Sequence, residues 1–195
     1  LVGGAARAEM SFFAYDGQIR SVSEMGGGKA VGTGVVAQTG SLAERRFGGG
    51  WNIEFSGTME VAQAGKYEFT VTSDDGSALF IDGNVVVMND GLHGPVARSG
   101  SAQLAAGKRQ VNLLYFNNNG GHALKAEVTA PGGRAADLAT VCVPSDKRQD
   151  LAVVKRHVGV RSEPAKQAAK PAAESVRALV QGYVALLAAI DDRLR

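Results

Sequence analysis

Short runs in which apolar and polar residues alternate dominate the sequence, and turn residues separate these runs. From residue 66 to residue 73 the apolar side chains Tyr67, Phe69 and Val71 occupy every second position. This period of two is typical of a strand with one buried face. Asp82-Gly83-Asn84 separates two apolar runs, and an Asp-Gly pair in that setting indicates a tight hairpin. We therefore expect an all-β chain that forms an antiparallel β-sandwich or barrel.

Turn signals and composition divide the 195 residues into four parts. Residues 1–9 are expected to be a flexible tail or the remnant of a signal peptide, since Ala6-Arg7-Ala8 has the small-x-small form of a cleavage site. Residues 10–143 are expected to form the β-sandwich. Within it, we expect irregular loop from Ser21 to Arg46 and a long polar loop from Asn89 to Gly100.

The remaining residues differ in composition from the β-sandwich. Residues 144–171 are basic and polar and are predicted to be a solvated linker. Residues 172–195 carry apolar side chains at spacings of three and four, which predicts an amphipathic helix. The charge-free run 178–190 is too short to span a bilayer, which needs about 20 residues. We expect this helix to dock on the chain's own body or on a partner protein through Val176, Leu179, Tyr183, Leu187 and Ile190.

Charge and cysteine content exclude several classes of function. The formal net charge is only +2, which gives no indication of nucleic acid or an anionic membrane as a partner. The single cysteine, Cys142, excludes an intrachain disulfide. It lies in an alternating, strand-like run, so we expect it to be a buried apolar residue.

Asp74 and Asp75 are adjacent carboxylates in a turn between two apolar runs. Adjacent carboxylates repel each other, and neither favours a strand interior. Such a pair is either simply solvated in its turn or held together by a cation. The residue pattern by itself leaves both interpretations open.

The stretch TMEVAQAGKYEFTVTSDDGSALFIDG, followed by AAGKRQVNLLYF and a loop of Gly and Asn, resembles the PA14 domain. This family is named after a fragment of the anthrax-toxin protective antigen. The most specific elements are Gly65-Lys66-Tyr67, Ser73-Asp74-Asp75-Gly76 and Ile81-Asp82-Gly83. The resemblance does not include residues 144–195. It implies a β-sandwich of the kind found in toxins, glycosidases and adhesins.

In the sugar-binding members of this family, two adjacent Asp residues joined by a cis peptide bond bind a calcium ion. Asn and backbone groups of a later loop complete the site. The resemblance therefore implies that Asp74 and Asp75 bind Ca²⁺, with Asn117 or Asn119 as a further ligand. Calcium favours six to eight oxygen ligands, such as carboxylates, amide carbonyls and water. Vicinal sugar hydroxyls can replace two of the waters.

The loop from residue 89 to residue 95 is expected to lie near the acidic turn and to shape the rim of the ligand site. Asp90 and His93 are its candidate rim residues. No pattern predicts catalysis, since the histidines lack zinc-type spacing and no G-x-S-x-G elbow occurs. We therefore interpret the chain as a non-enzyme.

Two hypotheses about function follow. The first is a non-catalytic, calcium-dependent carbohydrate-binding module that binds a glycan or glycoprotein and is secreted or enters an organelle lumen. The second is a structural or accessory subunit of a larger membrane-associated or lumenal assembly. In that case the basic linker and the C-terminal helix would be the docking device, without spanning the membrane.

Overall fold

A computed structural model describes residues 8–42 and 49–162, and the predicted all-β fold is confirmed. The described residues form eleven strands and one α-helix. The strands are β1 (Met10–Asp16), β2 (Lys29–Val36), β3 (Trp51–Val61), β4 (Gly65–Asp74), β5 (Ser77–Ile81), β6 (Asn84–Asn89), β7 (Val96–Leu104), β8 (Gly107–Asn117), β9 (Ala123–Thr129), β10 (Ala135–Asp137) and β11 (Cys142–Pro144). The helix α1 is Leu151–Ser162, and three short 3-10 helices are Val22–Glu24, Thr39–Leu42 and Leu138–Val141.

The strands form two antiparallel sheets. The larger sheet has the order β2-β1-β3-β8-β5-β6, with β11 also paired to β3. The smaller sheet has the order β10-β9-β4-β7. The chain crosses from one sheet to the other between β4 and β5, between β6 and β7, and between β8 and β9. The acidic turn, the loop between β6 and β7 and the loop between β8 and β9 are therefore all crossovers between sheets.

The core lies between the two sheets and is built from alternate residues of each strand. In β4 the buried apolar side chains are Tyr67, Phe69 and Val71, as the alternation predicts. Phe55 and Tyr115 contribute the largest fully buried side chains of the opposite sheet. Cys142 is also buried in this core, and burial raises the pKa of its thiol to about 12. The thiol is therefore a packing group rather than a nucleophile at neutral pH.

The hairpin predicted at Asp82-Gly83 joins β5 to β6. Ile81 pairs with Asn84, so only Asp82 and Gly83 lie in the turn. Their φ angles are +50° and +77°. Positive φ at both central positions is the backbone that a twisted two-residue hairpin requires, and it explains why glycine follows the aspartate.

Two segments predicted to be loop contain strands. β2 lies within residues 21–46, and β7 begins at Val96 instead of after Gly100. In β2 the alternating pattern is hidden because glycines replace apolar residues on the core side. A Cβ atom on Gly34 would lie 2.8 Å from the Phe12 ring, so Phe12 fills the space that a side chain would occupy. In β7 the exposed residues are small or polar, which resembles loop composition.

The prediction of a solvated linker over residues 144–171 was wrong for its first part. Residues 145–150, here called the strap, lie on the outer face of the larger sheet, and α1 follows. The buried carboxylate of Glu54 accepts hydrogen bonds from Arg148 Nε (2.7 Å) and from the Gln149 N–H. Asp150 begins the helix, since its carboxylate accepts a bond from the Ala152 N–H at 2.8 Å. The basic composition therefore reflects a specific ion pair as well as solvation.

The chain divides into two compact units, Leu1–Arg156 and His157–Arg195. The first contains the sandwich, the strap and the start of α1; the structure describes the second only up to residue 162. The predicted helix 172–195 lies outside the described residues. So do its candidate docking residues Val176, Leu179, Tyr183, Leu187 and Ile190. None of the helices that the structure describes is long and apolar enough to cross a membrane.

Candidate functional site

Asp74 and Asp75 lie in the crossover between the two sheets. Asp74 is the last residue of β4, and β5 begins at Ser77. The peptide bond between the two aspartates is cis. Gly76 completes the turn against the Phe116 ring, which leaves no space for a side chain at this position. The Gly76 carbonyl also accepts a hydrogen bond from the Phe116 N–H at 2.9 Å, so β8 holds the turn in place.

The carboxylate of Asp75 joins two loops. Asp75 is only 7% exposed. Its Oδ1 accepts a hydrogen bond from the His93 N–H at 3.0 Å, and its Oδ2 accepts one from the Asn118 N–H at 2.8 Å. His93 lies in the loop 90–95 between β6 and β7, here called the β6–β7 loop. Asn118 begins the loop 118–122 between β8 and β9, here called the β8–β9 loop. One carboxylate thus fixes both loops beside the acidic turn.

The surroundings of Asp74 disfavour its negative charge. Burial, followed by the negative charge of Asp75, raises the pKa of the Asp74 carboxyl, and the nearby His93 and His122 offset this in part. The backbone of the β8–β9 loop passes close by, since a Cβ atom on Gly121 would lie 3.3 Å from Asp74 Oδ2. A cation between the two carboxylates would remove the repulsion that makes this site costly to ionise.

Tyr115 of β8 holds the backbone of the acidic turn in place. Its hydroxyl donates a hydrogen bond to the Asp74 carbonyl at 2.6 Å. Burial and the Asp74 charge raise the pKa of this phenol well above its usual value, so it stays a donor at neutral pH. The Tyr115 ring packs edge-on against Trp51, with 5.1 Å between the ring centroids.

The asparagines at the end of β8 differ in their surroundings. Asn117 is buried, and its Oδ1 has no hydrogen-bond partner among the described residues. The same is true of Asn118 Oδ1. Buried side-chain oxygens normally accept a hydrogen bond or bind a cation, so two orphaned oxygens beside an Asp pair are unusual. Asn119 is exposed, and its amide lies against the Gly49 carbonyl and Gln18.

The structure thus places Asn117 directly before Asn118, whose N–H binds Asp75, whereas the Asn119 side chain contacts a different part of the chain. Sequence reasoning missed Asn118, whose backbone N–H holds Asp75 and whose side-chain oxygen is also unpartnered. The run of three asparagines was a visible signal. The sequence alone could not assign a role to each asparagine, because it does not show where the strand ends and which side chain is therefore buried.

The two candidate rim residues occupy the β6–β7 loop in different ways. The His93 ring nitrogens lie 2.8 Å from the Gly94 carbonyl and 3.1 Å from the Asn89 carbonyl, so the ring closes the loop on itself. Asp90 accepts hydrogen bonds from Ser21 Oγ and the Val22 N–H, both at 2.8 Å. Its carboxylate therefore anchors the first 3-10 helix to this loop. A direct contact of Asp90 or His93 with a ligand stays a prediction.

The donor set suits a hard cation. No group of three or more His, Cys, Asp or Glu side chains converges within residues 8–42 and 49–162. The acidic site instead combines two carboxylates with neutral amide oxygens. Calcium accepts such mixtures of carboxylate, amide, backbone and water oxygens. The types of residue present therefore fit a calcium ion, and Asp74, Asp75 and Asn117 are the side chains that would hold it.

Two loops held by one carboxylate flank the acidic turn, and two antiparallel sheets pack around a common core, so the fold is that of a β-sandwich domain. The model of the PA14 domain family matches residues 39–138, and the chain belongs to this family. Comparison with curated protein sequences gives no match.

Several solved structures share the fold. The PA14 domain of the MpAFP antifreeze protein is 18% identical, with a TM-score of 0.60 over 73% of this chain and 93% of that one. A PA14 sugar-binding domain from an RTX adhesin is 19% identical, with a TM-score of 0.61 over 72% of this chain and 100% of that one. The Epithelial Adhesin 9 A domain of Candida glabrata, in complex with Galb1-4GlcNAc, is 12% identical, with a TM-score of 0.50 over 73% and 91%.

Proposed function

We propose that this protein is a non-catalytic, calcium-dependent carbohydrate-binding domain. Asp74, Asp75 and Asn117 would hold the ion, and hydroxyl groups of a sugar would complete its coordination. The single observation that carries the proposal is the oxygen cluster itself. A buried carboxylate, Asp75, and its half-buried neighbour Asp74 lie at the end of β8 that carries Asn117, whose buried amide oxygen has no partner among the described residues.

The electrostatics of the site favour a cation over plain solvation. A solvated pair in an exposed turn would have carboxylates free to separate. Here Asp75 is buried and fixed by two N–H donors, and the pKa of Asp74 is raised by burial and by the neighbouring charge. An ion bound by both carboxylates would offset the desolvation and the repulsion together.

Carbohydrate is the ligand class that the comparisons support. Two of the structures with the same fold are a sugar-binding domain of an adhesin and an adhesin domain in complex with a disaccharide. A calcium ion held at the protein surface keeps coordination positions for outside oxygens, and a vicinal diol supplies two of them at a suitable spacing.

Non-catalytic binding fits the chemistry of the described residues. Cys142 is buried in the core, and both ring nitrogens of His93 face backbone carbonyls. A calcium module that works at the calcium levels outside cells also fits a location at the cell surface, in the extracellular space or in a lumen. The adhesin neighbours are consistent with that location.

A glycan array, probed with and without calcium, tests the proposal. The parent should bind a restricted set of glycans in calcium and lose them when a chelator is added. Asp74→Asn should lose the same signals, because it removes one ionic ligand while preserving the side-chain shape. Asp16→Asn, at an exposed strand end, is the matched control for the change in net charge and should bind like the parent. Glycan binding that is indifferent to calcium, or no binding at all, would refute the proposal.

A further inference from the structure

We propose that Leu92 is a specificity-determining residue that packs against the apolar C–H face of the sugar held at the ion site. This inference rests on the proposed carbohydrate-binding function. It assigns to Leu92 a role in the rim loop that the sequence analysis gave only to Asp90 and His93. The ligand class is a pyranose that offers a vicinal diol to the ion and an apolar patch to the leucine.

The exposure of Leu92 is the first observation. Its side chain is 49% exposed. It is one of four exposed large apolar residues in the part of the chain that the structure describes, and the other three are Val31 (40%), Val35 (51%) and Val141 (38%). Two of these lie on the edge strand β2 and one in the 3-10 helix Leu138–Val141. Leu92 alone among the four lies in a loop that touches the acidic turn.

The distance to the ion site is the second observation. Leu92 directly precedes His93, whose N–H lies 3.0 Å from Asp75 Oδ1. The backbone geometry of one peptide unit therefore places the Leu92 Cα within about 6 Å of that carboxylate oxygen. A sugar bound to an ion at Asp74 and Asp75 would lie within reach of a leucine side chain at this position.

The rigidity of the loop is the third observation. The His93 ring spans the carbonyls of Asn89 and Gly94. Asn89 Nδ2 donates to Ser73 Oγ at 3.0 Å and to the Val96 carbonyl at 2.9 Å, which ties the base of the loop to β4 and β7. An apolar side chain on a loop fixed in this way loses little conformational freedom when a ligand covers it.

The chemistry of sugars completes the argument. A pyranose has hydroxyl edges and C–H faces, and coordination to an ion uses only the hydroxyls. The remaining C–H surface stays in contact with water. Binding becomes more favourable when an apolar side chain covers that surface and removes it from water. The ion would select for a diol, whereas Leu92 would select among diol-bearing sugars by the apolar surface that they present.

Three variants separate hydrophobic contact from shape. Leu92→Asn keeps the approximate side-chain size and removes the apolar surface. Leu92→Met keeps an apolar side chain of similar volume. Val35→Asn makes the same apolar-to-amide change on β2 and is the matched control. Each is titrated by calorimetry with calcium alone, and then with the glycans that bind the parent in saturating calcium.

We expect Leu92→Asn to weaken glycan binding about tenfold, the size of effect that a few apolar atoms give in a ligand pocket. Leu92→Met and Val35→Asn should bind like the parent, and all three should retain the parent's calcium affinity. Equal glycan affinities for the parent and Leu92→Asn would overturn the role of Leu92 and leave the proposed function standing. A parent that binds calcium but no glycan would overturn both.

Discussion

The contact between Glu54 and the strap gives a quantitative prediction for the variant Arg148→Met. The Glu54 side chain is 1% exposed, and its Oε2 accepts from Arg148 Nε at 2.7 Å. Burial alone would lower the pKa of Arg148, but its hydrogen bond to Glu54 and the Glu54 charge outweigh burial and raise it. The guanidinium also lies 4.8 Å from the Phe13 ring centroid and donates to the Tyr15 hydroxyl at 2.6 Å. Methionine keeps most of the apolar stem and removes the charge.

The expected loss of stability follows from leaving a buried charge without its partner. Removing one member of a buried ion pair costs about 3–5 kcal/mol. The lower end applies here, because Glu54 keeps hydrogen bonds from the Gln149 N–H and from Asn112 Nδ2. We therefore expect a loss of about 3 kcal/mol in the free energy of unfolding. For a domain of this size, that is a fall in Tm of roughly 6–12 °C.

Urea unfolding of the full chain measures this loss. Lys147→Met is the matched control, since it removes a neighbouring positive charge whose side chain is exposed, and it should change stability by less than about 0.5 kcal/mol. The double variant Glu54→Gln, Arg148→Met should recover much of the loss, because no unpaired buried charge remains. If Arg148→Met unfolds at the same urea concentration as Lys147→Met, the strap is not anchored by this ion pair.

Three further predictions concern the acidic turn. Because burial and the Asp75 charge raise the folded-state pKa of Asp74 above its ordinary value of 3.8, ionisation of this carboxyl costs stability as pH rises from 3.8 through the folded-state pKa. Asp74→Asn should therefore be more stable than the parent at pH 7 without calcium. This gain should vanish in acid, and urea unfolding across pH checks it. Gly76→Ala should lower Tm by several degrees, because its Cβ would overlap the Phe116 ring. Gly83→Ala should lower Tm less, because its Cβ would contact no other atom and only the positive φ at this position opposes the change. Equal Tm values for the two variants in a thermal melt would contradict this. Calcium at a hundred times its Kd should raise the free energy of unfolding of the parent by about 2.7 kcal/mol. In differential scanning calorimetry this is a rise in Tm of roughly 5–11 °C. The same calcium concentration should not stabilise Asp74→Asn.

Sequence patterns correctly predicted the elements that are specified by residues close together in the sequence. The alternation of Tyr67, Phe69 and Val71 and the Asp-Gly turn each specify a strand face or a backbone conformation within a few residues. The same holds for the acidic turn, where the adjacent pair Asp74 and Asp75 is visible directly. Strand β2 was not predicted, because Gly32 and Gly34 interrupt its alternating pattern. These glycines make room for Phe12, a side chain from another strand.

Partners that are distant in the sequence could not be predicted. Glu54 occupies an ordinary polar position in an alternating strand, yet it binds Arg148, 94 residues later. Likewise, the two N–H donors of Asp75 come from loops 18 and 43 residues away. Backbone donors carry no residue identity, so no motif marks them. The resemblance to PA14 domains supplied the candidate ligands, and only the structure separated Asn117 from Asn119.

Isothermal titration of calcium into the purified chain, beside the double variant Asp74→Asn, Asp75→Asn, tests the central claim most directly. The account predicts one saturable site in the parent, with a dissociation constant of roughly 0.1–1 mM, the range of extracellular calcium modules. It also predicts that the double variant shows no binding while keeping the fold by circular dichroism. A parent that shows no saturable heat, or a folded double variant that binds calcium as the parent does, would contradict a calcium site at Asp74 and Asp75.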